Sequence, residues 1–94
     1  MADAPQVRNN ENESRFETEV DGKMSFVEYK KAPGRIVLVH TEVPSELSGR
    51  GIAQSMVTTA LDYARKNKLS VVPLCKYVRA YIEKHPEYQD LVAG

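Results

Sequence analysis

Polar and hydrophobic residues alternate in three consecutive segments in the first half of the chain. The segments are Arg15–Val20, Met24–Lys30 and Arg35–Val43. A two-residue period is typical of β-strands, and Asp21-Gly22 and Ala32-Pro33-Gly34 favour tight turns between them. Four aliphatic residues in succession, Ile36 to Val39, indicate a central strand that is covered on both faces. The pattern therefore predicts an antiparallel three-stranded meander.

The period changes to three and four residues after Gly51. An apolar stripe then predicts an amphipathic helix that ends at about Asn67; its members are Ile52, Ala53, Met56, Val57, Ala60, Leu61 and Ala64. A short buried strand is predicted at Leu69–Leu74 and a second helix at Val78–His85, before Pro86. The predicted fold class is α/β (α+β): an antiparallel meander, then a right-handed β-α-β unit with two parallel strands, then a C-terminal helix.

The first fourteen residues contain few side chains that favour burial. Residues 9–14 are polar in succession, and Val7 is isolated among polar neighbours. Burial of such a segment does not offset the entropy lost on ordering it. We therefore expect a disordered N-terminal tail at residues 1–14 and a single domain at residues 15–94.

Length and charge exclude several classes of protein. A chain of 94 residues is one small domain, and its 13 Lys+Arg balance its 13 Asp+Glu. This balance argues against a nucleic-acid-binding module, which needs uncompensated basic residues. We expect no membrane span and no signal peptide, because no apolar segment is long enough for either. The single cysteine fits a reducing compartment, so we expect a cytoplasmic protein. We also expect a monomer or weak homodimer.

Two glycines lie between the third predicted strand and the first predicted helix. Gly49 and Gly51 flank Arg50. The first N–H groups of a helix lack internal partners and carry the positive end of its dipole. Glycines let phosphate groups approach these donors closely, so the loop fits a pyrophosphate. The alternative is that both glycines serve a turn or close packing of the helix on the sheet. The P-loop and dinucleotide-binding patterns are absent.

Several segments together carry a family resemblance. They read ELSGRGIA, VHTEVP, LDYAR, VPLCKYV and YIEKHPEY. The first resembles the acyl-CoA-binding motif of the GNAT acetyltransferase superfamily, Q/R-x-x-G-x-G/A. The whole set, over about Arg15 to Val92, resembles the very small N-acetyltransferase domain-containing members of that superfamily. The resemblance implies acetyl-CoA as cofactor and transfer of an acetyl group to an amine or protein acceptor that it does not identify.

The resemblance also implies which residues bind coenzyme A. They are Val43, Ser48, Gly49, Arg50, Gly51, Ile52, Ala53 and Lys76. The backbone amides of residues 48–52 would hold the pyrophosphate, residues 40–43 would lie along the pantetheine arm, and Lys76 would reach the 3′-phosphate. Glu46 occupies the first motif position, where the family has Gln or Arg. Because a carboxylate repels a pyrophosphate, we expect Glu46 to face solvent and assign it no ligand role.

Three side chains are candidates for the chemistry of transfer. The resemblance implies that Cys75 lies near the acyl thioester. As a thiolate at a helix start it would attack the thioester, or as a thiol it would protonate the leaving sulfur. The alternative is that Cys75 is a packing residue. His40 would deprotonate the amine, with Glu42 to orient it, or is a half-buried histidine bonded to a backbone carbonyl. Tyr77 is a candidate acid for the leaving thiolate, whereas Tyr81 is expected in the core.

The length of the chain leaves the activity open. Larger GNAT domains have further helices and strands that shape the acceptor pocket, and this chain has too few residues for them. The acceptor half of this site is therefore missing or supplied by a partner. The alternatives are a non-catalytic CoA-binding or protein-interaction module, and a structural domain whose glycines make only a turn.

Pro73 lacks an amide donor, which fits either two strands that splay apart around pantetheine or a plain edge strand. No metal site is expected from two distant histidines and one cysteine.

Overall fold

Five strands form one sheet in chain order, in a computed structural model that describes residues 6–92. The strands are β1 (Arg8–Asn10), β2 (Arg15–Val20), β3 (Lys23–Ala32), β4 (Arg35–Glu42) and β5 (Ser70–Pro73). Strands β1 to β4 pair antiparallel, and β5 pairs parallel with β4. Helix α1 (Ile52–Lys66) connects the parallel pair, as the change of period predicts. The predicted meander and β-α-β unit are therefore confirmed.

Both helices lie on one face of this sheet. Helix α1 packs across β2 to β5. Helix α2 (Lys76–Lys84) lies beside it, and the Thr58 and Tyr81 hydroxyls of the two helices are 3.0 Å apart. Short 3-10 helices occupy Ser45–Leu47 and Pro86–Leu91. The core between helices and sheet contains the predicted stripe of α1, except that Ala53 is only half-buried. Together these contacts make a two-layer α+β domain.

The other face of the sheet is not covered by any helix of residues 6–92. On β4, Ile36 and Leu38 are fully buried against the helices, but Val37 and Val39 on the opposite face are only half-buried. The prediction that this strand is covered on both faces is therefore wrong. Four aliphatic residues in succession indicated a central strand correctly, but the outer face has only its neighbours within the sheet as cover.

The N-terminal segment contains a strand that hydropathy did not predict. The prediction of a disordered tail is wrong at β1, which pairs with β2, while residues 1–5 lie outside the described residues. Polar contacts hold this strand: Arg8 and Asn10 donate hydrogen bonds to the Glu17 carboxylate, and Asn9 accepts one from the Tyr29 hydroxyl at 2.6 Å. Burial of apolar surface contributes little to it, which explains why the sequence pattern missed it.

Helix α2 begins two residues earlier than predicted. It runs over Lys76–Lys84 rather than Val78–His85, so Cys75 is its N-cap residue. Within the part of the chain that the structure describes, no helix is long and apolar enough to cross a membrane. The same residues contain no cluster of three or more His, Cys, Asp or Glu side chains that would hold a metal ion.

Candidate functional site

The parallel strands β4 and β5 separate at one end of the sheet. Their last paired residues are Leu38 and Pro73. Beyond that point the N–H groups of Leu74 and Cys75 both donate to the Leu38 carbonyl, at 3.0 and 3.1 Å, and the chain turns into α2. Strand β4 continues to Glu42 without a partner on this side among residues 6–92. Strand β5 and its pairing end at Pro73, so this proline marks the point beyond which β4 has a free edge among residues 6–92.

A bulge on β4 accompanies this separation. On the opposite side β3 pairs Glu28 with His40 but Tyr29 with Leu38, so Val39 is an extra residue in β4. Bulges bend a strand and increase its local twist, and they are common beside active sites. The bulge therefore changes the course of β4 at the point where β5 ends.

The separation opens a cavity of about 530 Å³. Its lining comprises Val39, His40, Thr41, Val43, Ala53, Leu74, Cys75, Lys76 and Tyr77. Residues from β4, α1 and α2 thus meet here, and all three catalytic candidates are among them. Three of the predicted cofactor-binding residues, Val43, Ala53 and Lys76, also line it. The other five form the loop that leads into α1.

Gly49 and Gly51 adopt backbone conformations that favour glycine. Their φ angles are +81° and +77°, in the left-handed region. A Cβ atom at either position would meet nothing within 4 Å, so close packing of helix on sheet does not explain them. Helix α1 begins directly after Gly51 and has no side-chain cap among the described residues. The open space and the free first amides of α1 fit a pyrophosphate.

The remaining loop residues differ in what they offer a ligand. The Ser48 amide donates to the Ser45 carbonyl at 3.2 Å, so it is already engaged, unlike its predicted role. Ile52 is only 2% exposed and packs in the core, so its side chain offers a ligand nothing. Arg50 donates from Nη1 to the Asp21 carboxylate at 2.8 Å, in the β2–β3 turn. Glu46 faces solvent as predicted, 3.4 Å from Lys23.

Cys75 is half-buried at the inner end of the cavity. Its Sγ lies 3.3 Å from the Thr41 hydroxyl oxygen. Burial alone raises the pKa of the thiol, but hydrogen bonding from the Thr41 hydroxyl and the N–H groups of Val78 and Tyr77 outweighs it, and the net pKa lies below the usual value. A thiol with these neighbours favours the reactive thiolate form more than a buried packing cysteine does.

His40 lies on the opposite side of β4 from Cys75. Its Nε2 is 2.7 Å from the Glu42 carboxylate, and its ring centroid is 6.4 Å from that of Phe26, on the uncovered face. Successive side chains of a strand point to opposite faces, so Thr41 faces Cys75 while His40 and Glu42 face away. The imidazole is 53% exposed and contacts a carboxylate, so the alternative of a half-buried histidine bonded to a carbonyl is wrong.

Tyr77 and Lys76 begin α2 at the mouth of the cavity. Tyr77 is 40% exposed, and burial, with a smaller effect of Tyr81, raises the pKa of its hydroxyl. The hydroxyl therefore stays protonated at neutral pH and can donate a proton. Tyr81 packs against the core as predicted. Of the polar residues in the cavity, Thr41 was placed by the sequence only within the segment along the pantetheine arm, and its side chain was given no role. Thr41 belongs to the VHTEVP segment and directly follows His40, but no sequence pattern predicted that it lies opposite Cys75.

Comparisons with known proteins agree with this geometry. Residues 15–91 match the family model described as GCN5-related N-acetyl-transferase. Protein NATD1 of Gallus gallus is 33% identical over 89 residues, 92% of this chain and 81% of that protein. Protein NATD1 of Mus musculus is 39% identical over 64 residues, which is 67% of this chain and 58% of that protein.

A solved structure has the same fold. The NMR solution structure of a GCN5-like protein from Staphylococcus aureus matches 99% of this chain and 92% of its own chain, with a TM-score of 0.75 and 24% sequence identity. At this identity the match establishes the fold, and the family model supplies the assignment over nearly all of the described residues. The resemblance drawn from the motifs is confirmed: the chain belongs to the GCN5-related N-acetyltransferase family.

Proposed function

We propose that this protein binds acetyl-CoA and transfers its acetyl group to an amine. The observation that carries the proposal is the cavity at the end of β5, which is lined by Cys75, Tyr77 and Lys76 and lies beside a glycine loop at a helix start. The family uses an acyl-CoA, which supplies an activated acetyl thioester. The open loop and a cavity of about 530 Å³ have the chemistry and the space for such a cofactor.

The amides that follow Ser48 hold the pyrophosphate in this proposal. The first N–H groups of α1 and the glycine loop present uncompensated donors, and the helix dipole favours negative charge there. Lys76 adds a mobile cation at the mouth of the cavity. The unpaired edge of β4 beyond Leu38 offers backbone donors and acceptors to an extended arm, in the manner of an added strand.

Three side chains then have distinct roles. The Cys75 sulfur lines the cavity and, as a thiolate, would form a thioester with the acetyl carbonyl carbon as the bond from that carbon to the CoA sulfur breaks. His40, oriented by Glu42, lines the same cavity from the other side of β4, and it takes the proton that the amine loses as the amine displaces the Cys75 sulfur from the acetyl group. The Tyr77 hydroxyl, which stays protonated, gives a proton to a leaving thiolate.

The test is release of free CoA thiol from acetyl-CoA, with and without a panel of polyamines and lysine peptides. We expect at least one amine to accelerate release, and Cys75→Ala to lose most of that acceleration. A matched control, Thr59→Val, lies on α1 outside the cavity and should behave as wild type. Tight binding of CoA with no acceleration by any amine would support the binding module instead. Full activity in Cys75→Ala would contradict the role of Cys75.

A further inference from the structure

We propose that Thr41 is a positioning residue whose hydroxyl donates a hydrogen bond to the Cys75 thiolate and holds its sulfur toward the cavity. The inference rests on the proposed function for its catalytic meaning, but the contact itself does not depend on any ligand. It gives a role to a side chain to which neither the family motif nor the sequence pattern assigned one.

The contact joins two elements at the point where the sheet opens. Thr41 lies on the part of β4 that has lost its β5 partner, and Cys75 is the N-cap residue of α2. Their oxygen and sulfur atoms are 3.3 Å apart, although the residues are 34 positions apart in the chain. Both side chains are half-buried. The sulfur is therefore reachable from the cavity, while Thr41 restricts the direction in which it points.

Alternative donors to the sulfur are weaker. Among residues 6–92 Thr41 makes the one side-chain contact within hydrogen-bond distance of the Cys75 sulfur, and the backbone N–H groups of Val78, Tyr77 and Thr41 each lower the pKa of the thiol less than the Thr41 hydroxyl does. His40 faces the opposite side of β4, bound to Glu42. The other titratable groups that line the cavity are Lys76 and Tyr77 on α2, whereas α1 contributes only Ala53. The hydroxyl is thus the neutral donor best placed to act on the thiolate.

The hydroxyl can serve both protonation states of the sulfur. When Cys75 carries its proton, either atom can be the donor. When the proton is lost to water, the sulfur accepts only, and the threonine O–H becomes the donor. A hydrogen bond to an ionised acceptor is stronger than one between neutral groups, so the contact stabilises the thiolate more than the thiol. Valine has the shape of threonine but no donor, whereas serine keeps the hydroxyl.

The experiment measures the pH dependence of alkylation of Cys75 by iodoacetamide, without acetyl-CoA. Cys75 is the single cysteine of the chain, so the rate reports one site. The variants are Thr41→Val, Thr41→Ser and the matched control Thr59→Val, which removes a hydroxyl from α1 instead. We expect Thr41→Val to move the midpoint of the profile to higher pH and to slow alkylation at neutral pH by about tenfold. The serine and Thr59→Val variants should retain the wild-type profile.

Two results would overturn the proposal. An unchanged midpoint in Thr41→Val would show that the hydroxyl does not stabilise the thiolate. An equal shift in Thr41→Ser, which keeps the hydroxyl, would show that altered packing at this position, and not loss of the hydrogen bond, moves the midpoint. Circular dichroism of each variant identifies loss of folding, in which case Thr41→Ala is measured in the same way. Because no acetyl-CoA is present, a negative result here is distinct from failure of the thiol-release assay.

Discussion

Glu17 shows how a single residue stabilises the start of the sheet. Its side chain is 1% exposed on β2, yet it is a carboxylate. Arg8 and Arg15 donate to it at 2.6 and 2.7 Å, and Asn10 at 3.2 Å. Burial alone raises the pKa of Glu17, but these hydrogen bonds outweigh it and lower the net pKa below the ordinary value. The charge is therefore part of what holds β1 on β2.

Replacement of Glu17 by glutamine should lower the free energy of unfolding by about 1–3 kcal/mol, since two arginines lose their charged partner. Because the folded-state pKa is lowered, the stabilisation is complete above the ordinary value of 4.5 and is lost as the pH falls through the lower folded value. Urea unfolding at neutral and acidic pH measures the difference. The control is Glu19→Gln, an exposed neighbour on β2. Equal stability of Glu17→Gln and Glu19→Gln at neutral pH would contradict this role.

The residues of the site divide into those that sequence could and could not identify. Residue chemistry and motif selected Cys75, His40 and Tyr77, which line one cavity although the His40 side chain faces away from Cys75, and their catalytic roles stay predictions. Thr41 was not selected, because its relevance depends on the contact between the end of β4 and the start of α2. The hydrogen bond from the Ser48 amide to the Ser45 carbonyl could not be predicted from the sequence either, because it depends on backbone geometry.

Between elements, two ion pairs join the β2–β3 hairpin to the glycine loop. Arg50 contacts Asp21 at 2.8 Å, and Lys23 lies 3.4 Å from Glu46. Both pairs are exposed, so each contributes little to stability. Their effect is on charge: the Asp21 carboxylate neutralises the arginine that lies between the two loop glycines. Arg50 is therefore shared between the hairpin and any phosphate that binds at the loop.

Asp21→Asn should raise the affinity for acetyl-CoA by about two- to fivefold at low ionic strength, because Arg50 loses its carboxylate partner. The backbone φ of Asp21 is +54°, a conformation that asparagine tolerates well. Calorimetric titration measures the change. Asp90→Asn is the matched control, since it frees Arg65 at the far end of α1 instead. Equal affinities of the two variants would contradict competition between Asp21 and phosphate.

Hydropathy predicted those elements that bury apolar side chains. The stripe of α1 and the alternation on β3, where Ser25, Val27 and Tyr29 are buried, follow the pattern of the chain. Strand β1 did not, because polar contacts to Glu17 and Tyr29 hold it. The predicted start of α2 lies two residues after the observed one, because Lys76 and Tyr77 are exposed and add nothing to the apolar periodicity.

For the whole molecule, one layer of helices on a five-stranded sheet leaves a cofactor-sized opening at one end and an uncovered face behind it. The change from a two-residue to a helical period was sufficient to predict this fold class. The point where β4 and β5 stop pairing depends on how two distant segments of the chain end. Pro73 alone therefore did not decide between strands that separate around pantetheine and a plain edge strand. The central claim that unites fold and site is that acetyl-CoA binds at the glycine loop and this opening.

Thermal unfolding with and without acetyl-CoA tests that claim most directly, in wild type, Gly51→Ala and Gly34→Ala. Both glycines have positive φ and open space, so both variants strain a turn, but only Gly51 lies at the proposed pyrophosphate site. At about 100 times the dissociation constant, a ligand stabilises a small domain by about 2.7 kcal/mol, which raises the midpoint by roughly 10 °C or more. We predict this rise in wild type and Gly34→Ala, and a much smaller one in Gly51→Ala. No rise in wild type at millimolar ligand, or equal rises in the two variants, would contradict the account.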